Sequence, residues 1–273
     1  MKPSASICRP LAAVVVACTA GLAPGDIEVA VTSGNAPAGD PDALVTYFSF
    51  GDLASHEPGA ADFAAALAGP AATVVDPDTI NVGGGCWQRL EDPAWTGVNA
   101  SYNLAGLSTL FAVAFDVPDM PLLGSTIHIE YTADNFLGGF PPVPGLYINE
   151  IPVPHSTDSF CPDGGHGYFF TTGSIDIDHA ESYLSPNATN HLYLNIDDSN
   201  ESCGVLFGMH LTIPTPCNAA DLAPQFGVLD LVDINAFVDG FLASDPIADL
   251  NADGVFDLVD VNMFIDAFLN GCP

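Results

Sequence analysis

The chain has very few basic side chains. Its 273 residues include 3 Lys and Arg against 34 Asp and Glu, which gives a formal net charge of −31. Lys2 and Arg9 lie at the N-terminus, so Arg89 is the one base in the remainder. Nucleic-acid binding requires clustered Lys and Arg that neutralise phosphates, and this class of function is therefore excluded. Anionic membrane surfaces are disfavoured as partners for the same reason.

The sequence also lacks an apolar run that could span a bilayer, which takes about 20 residues. The apolar run at residues 11–17 follows Lys2 and Arg9 and precedes small residues at 18–20. This pattern predicts an export signal over residues 1–20. A lipoprotein signal with Cys18 lipidated is the alternative, because Val15-Val-Ala-Cys18 resembles its motif. We expect a secreted protein that is extracellular or attached to the cell surface.

Cysteine is scarce beyond this segment, where five remain: Cys86, Cys161, Cys203, Cys217 and Cys272. Export makes disulfides permissible. Cys217 and Cys272 bracket the C-terminal tail, and a bond between them would clasp its ends. Cys161 with Cys203 is the second expected pair, and Cys86 could replace either member. No Cys-x-x-Cys occurs, so a metal-thiolate cluster is not expected.

Oxygen-bearing side chains recur over residues 249–260 with the spacing of a calcium loop. They occupy loop positions one, three, five, nine and twelve: Asp249, Asn251, Asp253, Asp257 and Asp260. Val255 at position seven would supply a backbone carbonyl, and Gly254 at position six permits the sharp turn. Ca²⁺ takes six to eight oxygens, so this spacing predicts a calcium site. A helix should follow, with Leu258, Val261, Phe264, Ile265 and Phe268 on one apolar face.

The loop and its following helix are duplicated 27 residues apart, so that residues 227–242 match residues 254–269. The first loop has one extra residue, and Ala223 stands where the second loop has Asn251. We expect a weaker metal site there, with four candidate ligands: Asp221, Gln225, Asp230 and Asp233. One short helix cannot bury its apolar face alone, so the two repeats should pack together.

The duplicated loops, the Asp at position twelve and the terminal Gly271-Cys272 resemble a type I dockerin over residues 214–273. The resemblance implies a small α-helical, EF-hand-like domain that folds on Ca²⁺. It also implies a cohesin-like or other surface scaffold module as partner. Dockerins use loop positions ten and eleven and polar or basic helix residues for recognition. Here those positions are residues 231–232 and 258–259, both Leu-Val, and the helices carry no Lys or Arg.

Residues 26–213 have the pattern of a mainly β domain. A short helix is predicted at residues 61–68, and strands are predicted at residues 45–50, 109–116, 126–131, 145–149, 167–171, 191–195 and 205–213. Clusters of Gly and Pro separate them, notably at residues 138–145. Many short strands with such turns predict a β-sandwich.

The order of features in this domain resembles galactose-binding-like jelly rolls. Trp87 and Trp95 come early, and a Phe-rich strand then ends at Val117-Pro118. Residues 146–150, 191–195 and 208–213 follow in the expected order of strands. The resemblance implies ligand or glycan binding more often than catalysis. Trp87 and Trp95 are candidates for stacking on a sugar, and packing in the core is the alternative.

Candidate catalytic groups are sparse. Asp163 and His166 share one loop, and His128 lies two residues from Glu130 on one face of a strand. No Ser-His-Asp motif, nucleotide-binding glycine loop or zinc motif occurs. We therefore expect a non-catalytic binding or display protein, with the tail as the module that attaches it to a scaffold or surface. A polysaccharide-degrading glycoside hydrolase or accessory protein is the first alternative, and a purely structural surface protein is the second.

Overall fold

The structure is a computed structural model. It describes residues 26–76, 90, 99–103, 107–134, 136–138, 143–154, 156, 171–197, 203–223 and 226–272. Several predicted features lie outside these ranges, namely residues 1–20, Cys86, Trp87, Trp95, Cys161, the loop 163–166 and Gln225.

The described part of the chain is mainly β. Its strands are β1 Ile27–Thr32, β2 Pro41–Ser49, β3 Ala71–Val75, β4 Ala100–Asn103, β5 Thr109–Val117, β6 Thr126–Asp134, β7 Phe136–Leu137, β8 Leu146–Ile148, β9 Ile151–Pro152, β10 Thr171–Ile177, β11 Ala188–Asp197 and β12 Cys203–Ile213. Its helices are α1 Ala60–Leu67, α2 Leu231–Ala243 and α3 Leu258–Asn270, with short 3₁₀ turns at Ala180–Ser182 and Pro246–Ala248.

The strands form one curled antiparallel sheet in the order β10-β6-β12-β4-β3-β2-β5-β11-β8-β9, with β1 beside β12 and β7 beside β11. Residues 203–205 of β12 pair with β4 and residues 208–213 pair with β1, whereas β6 runs along residues 204–212. β4 also pairs with β3, so it links the two parts of the sheet. One hydrophobic cluster contains side chains from β1, β5, β6, β11 and β12, which shows that the curled sheet encloses it.

Alternate side chains of strand β5 belong to two different hydrophobic clusters. Phe111, Val113 and Phe115 point into the main core. Leu110 and Ala112 point to the opposite face, because successive side chains of a strand alternate. There they join a second cluster with residues 63 and 66 of α1. The helix predicted at residues 61–68 therefore covers the outer face of this strand.

A buried carboxylate joins the start of β2 to β4. The Asp42 side chain is 3% exposed and accepts hydrogen bonds from the backbone N–H of Gly34 at 2.7 Å and from the Ser101 hydroxyl. Gly34 has a φ of +68°, and a Cβ at this position would lie 2.3 Å from the carbonyl oxygen of Asn99. Only glycine fits this left-handed turn against the neighbouring backbone.

Substitution Gly34→Ala should lower the free energy of unfolding by about 2 kcal/mol or more, because it adds a backbone clash to the left-handed strain. Gly39→Ala is the matched control, since Gly39 also has a positive φ, +96°, but has no atom within 4 Å of its added Cβ. Urea denaturation measures both variants. Equal midpoint shifts for the two would contradict the role of the clash.

Candidate metal centre in the C-terminal tail

Two of the predicted ligand residues of the second loop lie at the start of α3. Asp257 precedes the helix and accepts a hydrogen bond from the N–H of Val259 at 2.7 Å. Asp260, the third residue of the helix, accepts from the N–H of Asp257 at 3.0 Å. This reciprocal capping satisfies two amides that a helix start leaves unpaired. The carboxylates at positions nine and twelve are thereby held next to each other.

Asp260 also ties the end of the loop to its beginning. Its second oxygen accepts from the N–H of Leu250 at 3.0 Å and from that of Asn251 at 3.4 Å. The N–H of Asp257 contributes most to lowering the pKa of the Asp260 carboxyl; burial opposes this effect, and the amides of Asn251, Leu250 and Asp260 itself add to it. Asp260 is fully buried, and it is kept in its charged form by backbone donors rather than by a basic side chain.

Asp249 stabilises the turn in the first half of the loop. Its two oxygens accept from the N–H groups of Asp253 at 3.1 Å and Gly254 at 2.9 Å. Asp253 in turn accepts from the N–H of Val255 and from the side-chain amide of Asn251, at 2.8 and 2.9 Å. The predicted ligands therefore share one hydrogen-bonded loop whose backbone folds back on itself.

The oxygen ligands that this loop offers suit Ca²⁺, a hard cation that binds carboxylate and amide oxygens. The oxygens of Asp249 and Asp253 each accept one hydrogen bond and so keep a lone pair, whereas one Asp260 oxygen accepts two. Among the described residues, the carboxylates of this loop do not bring three ligand atoms within 4.8 Å of one another. The group that does so consists of Asp221 and the sulfurs of Cys217 and Cys272, which are joined in a disulfide and are therefore not thiol ligands. To bind Ca²⁺ together, the loop carboxylates would therefore have to rotate away from the N–H groups that donate to them and towards the centre of the loop.

The first loop holds its leading carboxylate differently. Asp221 is 1% exposed, and one of its oxygens accepts from the N–H groups of Cys217 at 2.8 Å and Gly227 at 2.6 Å. Its other oxygen has no hydrogen-bond donor among the described residues. Asp221 therefore closes its loop as a structural acceptor, while its other oxygen is buried without a donor from the described residues.

The end of the first loop repeats the second. Asp230 accepts from the N–H of Val232 at 2.6 Å, and Asp233 accepts from the N–H of Asp230 at 2.9 Å. Asp233 also receives the N–H groups of Leu222 and Ala223, both at 2.9 Å. The two repeats thus share the same capping arrangement, although their leading halves differ.

The ends of the tail are joined twice. Cys217 and Cys272 form a disulfide with their Cα atoms 5.4 Å apart. The side-chain amide of Asn218 donates to the carbonyl oxygens of Ala267 and Gly271, at 3.1 and 2.9 Å. Sequence reasoning missed Asn218, because its partners lie some fifty residues away. Cys203 is buried in β12, and Cys161, its expected partner, lies outside the described residues.

The two repeats pack through equivalent aromatic side chains. The rings of Phe237 and Phe264 stack with centroids 4.3 Å apart and planes 15° from parallel. They belong to a cluster of the tail's own residues, separate from the core of the curled sheet. Gly240 allows close packing of α2 on the following 3₁₀ turn, since a Cβ there would lie 2.7 Å from the Ile247 side chain.

The predicted apolar face of α3 is only partly buried. Phe264 is 5% exposed, and Val261 and Phe268 are half-buried against the tail cluster. Leu258 and Ile265, predicted on the same face, are 75% and 45% exposed. A two-helix unit is too small to cover a whole apolar stripe, so these two side chains of the predicted face stay exposed.

Among the candidates on the sheet, His128 pairs with a residue that the sequence did not suggest. Its Nδ1 lies 2.6 Å from an Asp176 oxygen, across the β6–β10 pair, whereas its Nε2 lies 3.6 Å from Glu130. Asp176 is largely exposed, and the group lies on the solvent-facing side of the sheet. The geometry is that of a surface ion pair.

The pKa of His128 should fall when Asp176 is replaced. Burial of the ring lowers this pKa, but the hydrogen bonds and charges of Asp176 and Glu130 outweigh burial and raise it. The pair therefore stabilises the fold below the ordinary pKa of about 6.5, and this contribution is lost as the pH rises through the raised value. NMR titration should give a lower pKa in Asp176→Asn and no change in the control Asp178→Asn. An unchanged pKa in Asp176→Asn would refute the pairing.

None of the helices in the described ranges has the length and apolar content that crossing a bilayer requires. No protein-family model matches the chain, and no curated protein matches it. Among solved structures, the chain has a weak likeness to the cleaved adhesin domain of Lys-gingipain from Porphyromonas gingivalis, at 10% identity and a TM-score of 0.24, covering 62% of this chain and 96% of that one.

A mutant of Xylanase10C from Cellvibrio japonicus in complex with xylopentaose is similar at the same level. Its identity is 10% and its TM-score 0.24, with 68% of this chain and 30% of that chain covered. Neither likeness carries an argument about function at this TM-score.

Proposed function

We propose that the protein is exported and acts as a non-catalytic binding or display protein, which residues 214–273 attach to a scaffold or cell surface. One observation carries this proposal: the tail has its own clasped core and leaves apolar side chains of both helices uncovered. Exposed apolar surface of this extent is typical of interaction sites. Under this proposal the tail is a dockerin-like, EF-hand-like attachment module.

Calcium is the cation that we propose for the tail. The second loop would hold it through Asp249, Asn251, Asp253, Asp257 and Asp260, together with the Val255 carbonyl. In the first loop, the open oxygen of Asp221 is the strongest candidate ligand. Ca²⁺ would neutralise carboxylates that repel one another and would thereby stabilise the folded tail.

For residues 26–213 we propose a jelly-roll-like β-sandwich that binds a ligand, with polysaccharides as the first class to test. Support comes from the curled antiparallel sheet and its enclosed core. The described polar groups on this sheet include the surface ion pair of His128 and Asp176.

The test compares the full chain with a chain that ends at residue 213, both produced with residues 1–20 in the cells that make this protein. We expect the full chain on the cell surface in Ca²⁺, its release by chelator, and the shortened chain in the medium. Incubation with a panel of polysaccharides should yield bound protein without new reducing ends. Equal distribution of both chains would overturn the attachment role, and accumulating reducing ends would favour a glycoside hydrolase.

A further inference from the structure

The helices α2 and α3 form an apolar groove on the outside of the tail. The groove has a volume of about 420 Å³ and is lined by side chains of both helices. Phe237 and Phe264 form its floor and are each 5% exposed. Leu242 and Leu269 stand at its rim and are 79% and 78% exposed. The groove therefore pairs a packed aromatic floor with uncovered leucines.

The uncovered residues are concentrated in this part of the chain. Of the fifteen large apolar side chains that are exposed among the described residues, twelve lie in the tail. They recur at the same positions of the two repeats, as Val238 and Ile265 show, each 45% exposed. Four of the twelve, Val238, Leu242, Ile265 and Leu269, line the groove, and a contiguous exposed apolar patch marks an interaction site.

The charge around this groove restricts what can cover it. Residues 214–273 contain ten Asp and no Lys, Arg, His or Glu. Asp239 and Asp266 are both exposed, and each follows an apolar lining residue of the groove. A second copy of this chain would bring two acidic rims together, and an anionic lipid surface would repel them in the same way.

We propose that the groove binds a protein surface with an apolar centre and a rim of Lys or Arg. The inference rests on the proposed attachment function and specifies the chemistry of the partner. Leu242 and Leu269 contact the apolar centre, and Asp239 and Asp266 attract the basic rim. Complementary charge at the rim raises the association rate and excludes acidic partners, while the buried apolar contacts slow dissociation.

The test uses the full chain in saturating Ca²⁺ and three synthetic peptides of equal length. One is an amphipathic helix of Leu and Lys, the second has Glu in place of Lys, and the third keeps Lys but has Ser in place of Leu. We expect the Leu/Lys peptide to bind at one per chain, at least tenfold more tightly than either of the others. Calorimetric titration gives the affinity and the stoichiometry.

Two double variants separate the apolar and charged parts of the groove. Leu242→Asn with Leu269→Asn should weaken the Leu/Lys peptide at least tenfold. Asp239→Lys with Asp266→Lys should weaken it similarly and strengthen the Leu/Glu peptide. Leu53→Asn with Asp40→Lys, at exposed positions outside the tail, is the control and should change nothing. Circular dichroism confirms that each variant retains its helices.

Several outcomes would overturn the proposal. Equal binding of the Leu/Lys and Ser/Lys peptides would show that negative charge alone, without the apolar groove, accounts for binding. Calcium-dependent dimers that the two leucine substitutions abolish would identify a second copy as the occupant. Binding to zwitterionic phosphatidylcholine vesicles with the same sensitivity would identify a membrane. If the peptides behave as expected but the tail does not retain the protein on cells, the attachment role fails while the groove chemistry stands.

Discussion

Chelation of calcium should abolish most of the helical signal of the reduced tail, residues 214–273. Its two helices share a small core and bury too little apolar surface for independent stability. The tail carries ten Asp and no Lys, Arg or His, so its carboxylates repel one another in the absence of a cation. Ca²⁺ that binds only the folded state adds about 4 kcal/mol when its concentration is a thousandfold above Kd. This contribution is comparable with the whole stability of so small a unit.

The disulfide should moderate this loss. The Cys217–Cys272 bond closes a loop across a sequence separation of 55 residues, and such closures typically contribute ~2–4 kcal/mol. The oxidised tail should therefore keep part of its helical signal in chelator. Circular dichroism with and without chelator and reductant measures all four states. A helical signal that does not respond to calcium in the reduced tail would show that the metal-driven account is wrong.

Loss of one exposed ligand in the second loop should remove most of the tight calcium binding. Asp253→Ala deletes a proposed charged ligand while leaving the buried Asp260 network in place, so we expect calcium affinity to fall at least about tenfold. Asp260→Ala is less informative, because it leaves buried amides without an acceptor and disturbs the fold as well. Calorimetric titration of the oxidised tail is the measurement.

Asp221→Ala is the contrasting variant in the first loop. It removes the acceptor of the Cys217 and Gly227 amides, and leaving such groups unpaired costs about 1–3 kcal/mol. We therefore expect lower stability with little change in tight calcium uptake. Equal losses of affinity in Asp221→Ala and Asp253→Ala would mean that both loops hold calcium alike, against this expectation.

Much of the structure of the tail could be predicted from local sequence patterns. The capping residues Asp230 and Asp257, followed three positions later by Asp233 and Asp260, are visible in the sequence because helix capping acts between near neighbours. Strands β2, β5, β6, β8, β11 and β12 overlap the predicted runs, and α1 overlaps the predicted helix. The strands β1, β3, β4, β7 and β9 were not predicted, and the strand predicted at residues 167–171 reaches only the first residue of β10. β3 and β4 are short runs rich in Ala, Thr and Ser that depend on pairing with neighbours.

Spacing and periodicity were therefore sufficient to predict the order of the loops, the start of each tail helix and the mainly β character of residues 26–213. Tertiary structure alone decided which apolar residues are covered. Leu258 and Phe264 share one periodic pattern, yet one is exposed and the other buried, because only Phe264 faces the other repeat. It likewise decided that Asn218 joins the ends of the tail and that one Asp221 oxygen receives no donor from the part of the chain that the structure describes. Contacts between residues far apart in the chain leave no periodic trace, so they emerge only when the chain is folded.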